Sequence, residues 1–437
     1  MKKLVSLLLA LVMMLGLCAF ASAEEVVEIE IYHNWGSGAN AEAMEYLCNA
    51  FNEAYAGKYH VTPQYVSGGY ADVLAKFNVG YTSNENPVVT IIDACMSLGE
   101  KDKNTMIDLT AYAAANDPAY DFGQFYESAL RFSTDPADGH VYSVPYGRST
   151  QLMYVNMDLV REAMGEDAAT PETWQDIWAI CEAWYAKTGK PAYGHPIAGG
   201  YWSWYIVTIG GGEYMSADGN AGCAYLNNGW EKALTKWREI IDNGWFEAPG
   251  ITAGGYWEDF QAGSLPIAFQ SSGNLTKAMS AADKAGFDLE VCMLPGIVRD
   301  DGSVYRRCYT GGSNLMLANN KTAEETAAGW ELVKFFTSKE ANIYHSFKTG
   351  YILTHVGVEE DPEVLAKWAE TPEKKVAYDQ MAYLNETHVS AYMNDVDIEI
   401  VDTLTSFVYD GLSVADALDQ MIGSFESIFP NGVTDTY

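Results

Sequence analysis

The chain has 437 residues, 48% hydrophobic and 19% charged, with 26 Lys+Arg against 59 Asp+Glu and a formal charge of −33. That length allows two lobes with substantial cores, and so negative a field repels phosphate backbones, which excludes nucleic acid as a partner. Aromatic residues reach 13%, with 12 Trp and 29 Tyr; most belong to cores, and the surplus suits stacking on sugar rings.

Met1-Lys2-Lys3, an apolar run from Leu4 to Phe20 and Ala21-Ser22-Ala23 describe a secretory signal peptide (1–23) cleaved after Ala23. Lipid attachment at Cys18 is disfavoured because bulky Leu17 precedes it where a small residue is expected. No later segment is apolar enough to span a bilayer, so the expected product is exported, periplasmic or associated with the cell surface. Six cysteines then remain, with no C-x-x-C pair and no His/Cys cluster at zinc spacing, so neither metal nor cofactor is expected. Cys48 and Cys181 fall on apolar helical faces and read as buried thiols; Cys292 with Cys308 is the one pair a hairpin can bridge.

Val27 to Tyr32 alternates like a strand and delivers His33, Asn34 and Trp35 into a glycine turn. Met44, Leu47, Cys48, Phe51 and Tyr55 recur at helical spacing. Tyr59 to Val66 reads as a strand, Gly68-Gly69-Tyr70 opens a helix, and Pro87 to Asp93 is a β-branched strand ending in a carboxylate. Strand, helix, strand, helix, strand spells a parallel βαβ lobe, whose strand ends put Trp35, Tyr70 and Asp93 where ligands meet such sheets. His140 to Asn156 is extended but too polar at its centre for one buried strand, and reads as a crossing between lobes. Thr170-Pro171-Glu172 starts a helix faced by Trp174, Ile177, Cys181 and Trp184. Trp202 and Trp204 follow a glycine pair without clean periodicity, which marks them as candidates for contact rather than packing.

Ser271-Ser272-Gly273 lies between a strand and a helix, ready to offer hydroxyls and amides. Pro295-Gly296 marks a second crossing, and Tyr309-Thr310-Gly311-Gly312 a glycine turn before another strand. Trp330 to Phe336 is an apolar helical stripe; Ser338 caps a second helix that Gly350 ends, releasing Tyr351 toward a cleft. Two crossings and interleaved α/β segments predict discontinuous lobes, 24–145 with 297–338 and 146–296 with 339–437, able to close about a hinge. No seam for an oligomer is visible, so a monomer is expected.

IYHNWGSG, SGGYADVL, PYGRSTQLMYVN, TPETWQDIWAI, FQAGSLPIAFQSSGNL, TGGSNLMLA and SFKTGYILTH, in that order over nearly the whole chain, resemble the extracellular solute-binding proteins of ATP-binding-cassette importers, family-one sugar-binding group, nearest its glycerol-3-phosphate-binding subgroup. The resemblance implies a two-lobed α/β periplasmic-binding-protein fold of the type II, Venus-flytrap kind. It implies capture of a sugar or oligosaccharide by lobe closure and delivery to membrane permease subunits. It implies ligand contacts at Tyr70, Ser149, Ser271, Ser272, Gly311, Gly312 and Tyr351, with Trp202 and Trp204 near the place of a ligand-stacking tryptophan. Asp93 stands one position before the subgroup's glutamate. The subgroup's phosphate-gripping arginine would fall roughly within His388–Asp397, which here holds neither Arg nor Lys; an unpaired phosphate would be poorly held. A neutral or weakly charged sugar is therefore expected, with Tyr392 replacing the arginine by stacking. The alternatives are glycerol-3-phosphate or a glycerophosphodiester as ligand, and an exported carbohydrate-active enzyme. Against the enzyme, Glu258 and Asp259 point to different helix faces, and no G-x-S-x-G, H-E-x-x-H or P-loop motif occurs.

Overall fold

The computed structural model describes residues 25–436 except 199–201, 203, 250–254 and 385–388. The expected signal peptide, with Cys18, lies outside the described residues, as does His388. The chain begins with β1 (Val27–His33), α1 (Gly38–Ala54), β2 (Tyr59–Tyr65), α2 (Tyr70–Tyr81) and β3 (Val89–Asp93), close to the expected bounds. These strands pair in parallel, with Ile29 beside Val61 and Ile31 beside Val89. The periodicity that marks α1 becomes its inner face: Met44, Leu47, Cys48 and Phe51 are buried against the sheet.

The short helix α3 (Glu127–Leu130) precedes β4 (Ser143–Asn156), one continuous strand buried at all 14 positions. The sequence reading took its centre as too polar for that. The polar centre is tolerated because it passes between the lobes, where Ser149, Thr150 and Gln151 line a cavity. Beyond β4 come α4 (Trp174–Thr188), β5 (Tyr193–Gly194), α5 (Gly229–Asp242), β6 (Phe246–Glu247), β7 (Ile267–Ser271), α6 (Leu275–Ala285), β8 (Leu289–Cys292), β9 (Ile297–Val298), β10 (Val304–Tyr305) and β11 (Thr310–Leu317). The chain finishes with α7 (Ala323–Phe336), α8 (Lys339–Thr349), α9 (Met393–Tyr409) and α10 (Val414–Ile428). Among the described residues the strand order is β2-β1-β3-β11-β4-β7-β5-β6, with β8 also on β4 and β9–β10 as a separate hairpin.

The chain returns to the first lobe later than expected at 297. The Gly296 carbonyl accepts from Trp174 N–H at 2.8 Å and the Val298 carbonyl from Gln175 Nε2 at 3.2 Å, so the hairpin stays on the second lobe. The return is made by β11, which pairs Gly311 with Ser149 and then Ser313 with Asp93. The register slips between Ser313 and Asn314. Gly312 has φ +89, and a Cβ there would come 2.0 Å from the Gly147 carbonyl oxygen, so only glycine fits. Helix α8, expected in the second lobe, packs on the first: Tyr344 stacks on Tyr46 at 4.2 Å, and Ala341 and Tyr351 join the first core. Its ends form as read from the sequence, with Ser338 Oγ accepting from Ala341 N–H at 3.2 Å and Gly350 at φ +116.

Two large cores result. The first gathers Ile31, Phe51, Val89, Leu315 and Phe336; the second gathers Trp174, Trp204, Trp237, Phe269 and Phe407. Asn314, fully buried at the centre of β11, donates from Nδ2 to Ser133 Oγ at 2.9 Å and Ser143 Oγ at 2.8 Å. All six described cysteines are free thiols. Cys292 and Cys308 do not bridge: β8 is held on β4, while Cys308 Sγ is turned to donate to the Gln380 carbonyl at 3.3 Å. Among the described residues no helix is long and apolar enough to cross a membrane.

Candidate functional site

A cavity of about 240 Å³ opens between the lobes. From the first lobe it receives Asp93 at the carboxyl end of β3, followed by Ala94 and Cys95. The centre of β4 supplies Ser149, Thr150 and Gln151, and the start of β11 supplies Thr310, Gly311 and Gly312 directly opposite. The second lobe adds Ser271 at the end of β7, Tyr214, and Met393 with Asp397 from α9. A parallel sheet leaves its carboxyl ends free for ligand, which is why β3 ends here in a carboxylate.

Asp93 Oδ1 accepts from Cys95 N–H at 3.1 Å, fixing the side chain on the turn it caps. Burial raises its pKa above the usual carboxylate value, opposed by the Cys95 hydrogen bonds and the charge of Arg148. Asp397 Oδ1 accepts from the Tyr214 hydroxyl at 2.6 Å. Burial pushes Asp397 up to about 7, against the Tyr214 hydrogen bond and with a smaller push from the negative charge of Asp93. Two carboxylates thus reach the cavity from opposite lobes, and no Lys or Arg lines it among the described residues.

Gln151 holds a buried Oε1 that has no hydrogen-bond partner among the described residues. Thr150 is committed to structure: its Oγ1 donates to the Tyr309 carbonyl and accepts from Gln380 Nε2, both at 2.8 Å. Ser272, also expected at the ligand, is fully buried, and its Oγ accepts from Thr150 N–H at 3.3 Å; it fixes β4 rather than facing the cavity.

Beside Asp93 stands an aromatic trio off the cavity wall. The Tyr70 and Tyr351 hydroxyls lie 3.5 Å apart, and the Trp35 and Tyr351 rings 6.2 Å apart. The Asp93 charge raises the pKa of both tyrosines, a smaller effect than their burial. Trp202 and Trp204 lie elsewhere, each 1% exposed in the second core. Trp204 stacks on Trp174 at 5.3 Å, and Trp202 on Tyr205 at 5.1 Å. Both stand just before the π-turn Ile206–Gly210. Tyr392 packs edge-on against Phe429 at 6.1 Å and does not line the cavity.

Sequence reasoning missed Asp397, Tyr214 and Gln151. A signal existed for Asp397: it follows Met393 by four residues and Val396 by one, so a carboxylate stands at the edge of the buried face of α9. Tyr214 carried no such mark.

The chain is 24% identical over 355 residues to the sn-glycerol-3-phosphate-binding periplasmic protein UgpB of Escherichia coli, covering 77% of this chain and 76% of that protein. Its fold matches the GacH receptor of Streptomyces glaucescens, solved unliganded and with acarbose and an acarbose homolog (16% identity, TM-score 0.78, 94% of this chain and 100% of that one). It also matches the cyclic alpha-maltosyl-1,6-maltose binding protein of Arthrobacter globiformis (23% identity, TM-score 0.72, 93% and 100%). UgpB of Mycobacterium tuberculosis in complex with glycerophosphocholine matches as well (19% identity, TM-score 0.77, 93% and 99%). The architecture is the two-lobed α/β fold of periplasmic sugar-binding proteins. Residues 46–374 match the family profile of bacterial extracellular solute-binding proteins, and the chain belongs to that family.

Proposed function

We propose that this protein is the exported, monomeric receptor of an ATP-binding-cassette importer, capturing a sugar or oligosaccharide without a phosphate group and handing it to a membrane permease. The observation that carries this is the pair Asp93 and Asp397, facing one cavity from opposite lobes with no cationic side chain on its wall among the described residues. Asp397 lies in the segment where the resembled subgroup carries its arginine. Carboxylates accept hydrogen bonds from sugar hydroxyls well, and they repel a phosphate in a site screened from water.

In this reading Asp93 and Asp397 accept from ligand hydroxyls, while Ser149, Ser271 and Gln151 fix orientation. Gly311 and Gly312 let backbone come close to the ring, while Trp35, Tyr70 and Tyr351 support Asp93 from behind the cavity wall. Because Asp93 and Asp397 belong to different lobes, the full set of contacts exists only when the lobes meet, and that difference in contacts drives closure. The site binds and releases; it has no chemical step, in keeping with the binding-protein relatives.

Calorimetry on the mature chain tests this, with a panel of mono- and oligosaccharides against glycerol-3-phosphate and glycerophosphocholine. The expected result is micromolar or tighter binding of at least one saccharide and none of glycerol-3-phosphate. Micromolar glycerol-3-phosphate binding overturns the assignment, as does release of new reducing ends from any oligosaccharide.

A further inference from the structure

The charges around the cleft do not balance. Asp93 and Asp397 both line the cavity, and both keep part of their surface uncovered. On the same wall, burial holds the Cys95 thiol and the Tyr214 hydroxyl well above their ordinary pKa values, and therefore neutral. One cation stands behind the wall. Successive strand residues point to opposite faces: Ser149 lines the cavity, while Arg148 is 2% exposed and does not. The Arg148 charge faces Asp93, whose pKa it lowers. Asp397 has no such counter-charge. What acts on it is burial, the Tyr214 hydrogen bond and the negative charge of Asp93.

Two carboxylates against one guanidinium leave one negative charge, and it sits at Asp397. The Oδ1 of this residue accepts from the Tyr214 hydroxyl at 2.6 Å, which leaves Oδ2 for a ligand. The molecule as a whole, with 59 acidic residues against 26 basic ones, draws cations toward the cleft and turns anions away.

We propose that the preferred cargo is an amino sugar, a saccharide carrying one protonated amino group that donates to Asp397 within reach of the Asp93 charge. This rests on the reading of the cavity as a saccharide cleft. A primary ammonium has three donors, enough for Asp397 and a second acceptor. One ammonium brings the cleft to neutrality; a hydroxyl leaves the Asp397 charge uncompensated, and a phosphate or a uronic acid adds to it. The desolvation of Asp397 is already borne by the fold, so the incoming ammonium bears only its own. The same pairing gives a role to a carboxylate whose ionisation costs the empty protein stability at neutral pH.

The test is calorimetry on the full mature chain at pH 7 with matched pairs: glucosamine against glucose, galactosamine against galactose, and the chitosan disaccharide against its N-acetylated form. In at least one pair the amine form is expected to bind about tenfold or more tightly, the gain of a charge-assisted contact over a neutral one. N-acetylglucosamine and N-acetylgalactosamine keep the ring, lose the charge and should lose the gain. Asp397→Asn, checked for folding by circular dichroism, is expected to bring the members of that pair within about twofold of each other. If an uncharged sugar binds and no amine form binds more tightly than its partner, the amino-sugar assignment fails and the saccharide receptor stands. A folded Asp397→Asn that keeps the preference overturns the assignment in the same way. If neither member of any pair binds, the proposal fails; glycerol-3-phosphate binding in the same experiment means that the saccharide reading has failed with it.

Discussion

Asp397→Asn should make the ligand-free protein more stable, and increasingly so as pH rises. Folded Asp397 has its pKa pushed from 3.8 to about 7, chiefly by burial. Between those values the folded chain keeps a proton that the unfolded chain has released. The native advantage of this residue is therefore whole below pH 4 and drains away as pH climbs through 7. At 1.36 kcal/mol per pH unit, the loss comes to about 4 kcal/mol in all, of which more than half falls between pH 5 and pH 8. Asparagine has nearly the same shape, still accepts from the Tyr214 hydroxyl now 2.6 Å away, and does not titrate. Equilibrium urea unfolding of both proteins at the two pH values reads the effect, with equal m-values showing that the denatured states match. The variant's advantage should grow by about 2–3 kcal/mol from pH 5 to pH 8. A gap that stays constant, or narrows at pH 8, refutes the claim that burial raises the pKa of this carboxylate.

Two further substitutions probe the packing behind the cleft. Trp204→Ala should cost about 3–5 kcal/mol of stability, because the side chain is 1% exposed between Trp174 and Phe269; an unchanged unfolding midpoint would move it back to the ligand. Gly312→Ala should cost more than about 2 kcal/mol, since alanine meets both the φ of +89 and the Gly147 carbonyl oxygen. It should weaken saccharide binding as well, and a variant with parental stability and affinity would show that the β11 turn is free to rearrange.

The first lobe was legible because its signals are local. Alternation in β1, the helical spacing in α1 and the β-branched run of β3 each fix an element within a few residues. Caps were equally plain, as at Ser338 and Gly350. What the sequence hid is set by neighbours far along the chain. The polar centre of β4 looks wrong for a buried strand until a second lobe is placed over it. Trp202 and Trp204 looked like ligand residues because their packing partners lie on α4, α5 and β7. Asp93 was legible as a strand-end carboxylate; its counterpart Asp397 becomes one only when α9 is brought up to the same cavity. The Cys292–Cys308 bridge failed for a similar reason, since β4 and Gln380 claim the two segments separately.

The wall formed by Ser149 to Gln151 and Thr310 to Gly312 is also the hydrogen-bonded ladder on which both halves of the molecule hang. A change there that retunes recognition disturbs the joint at the same stroke, so that surface is conservative ground for adaptation. Tyr214 and Asp397 carry no such double duty. New tastes in cargo can therefore be acquired on one flank of the cleft while the load-carrying spine is left alone.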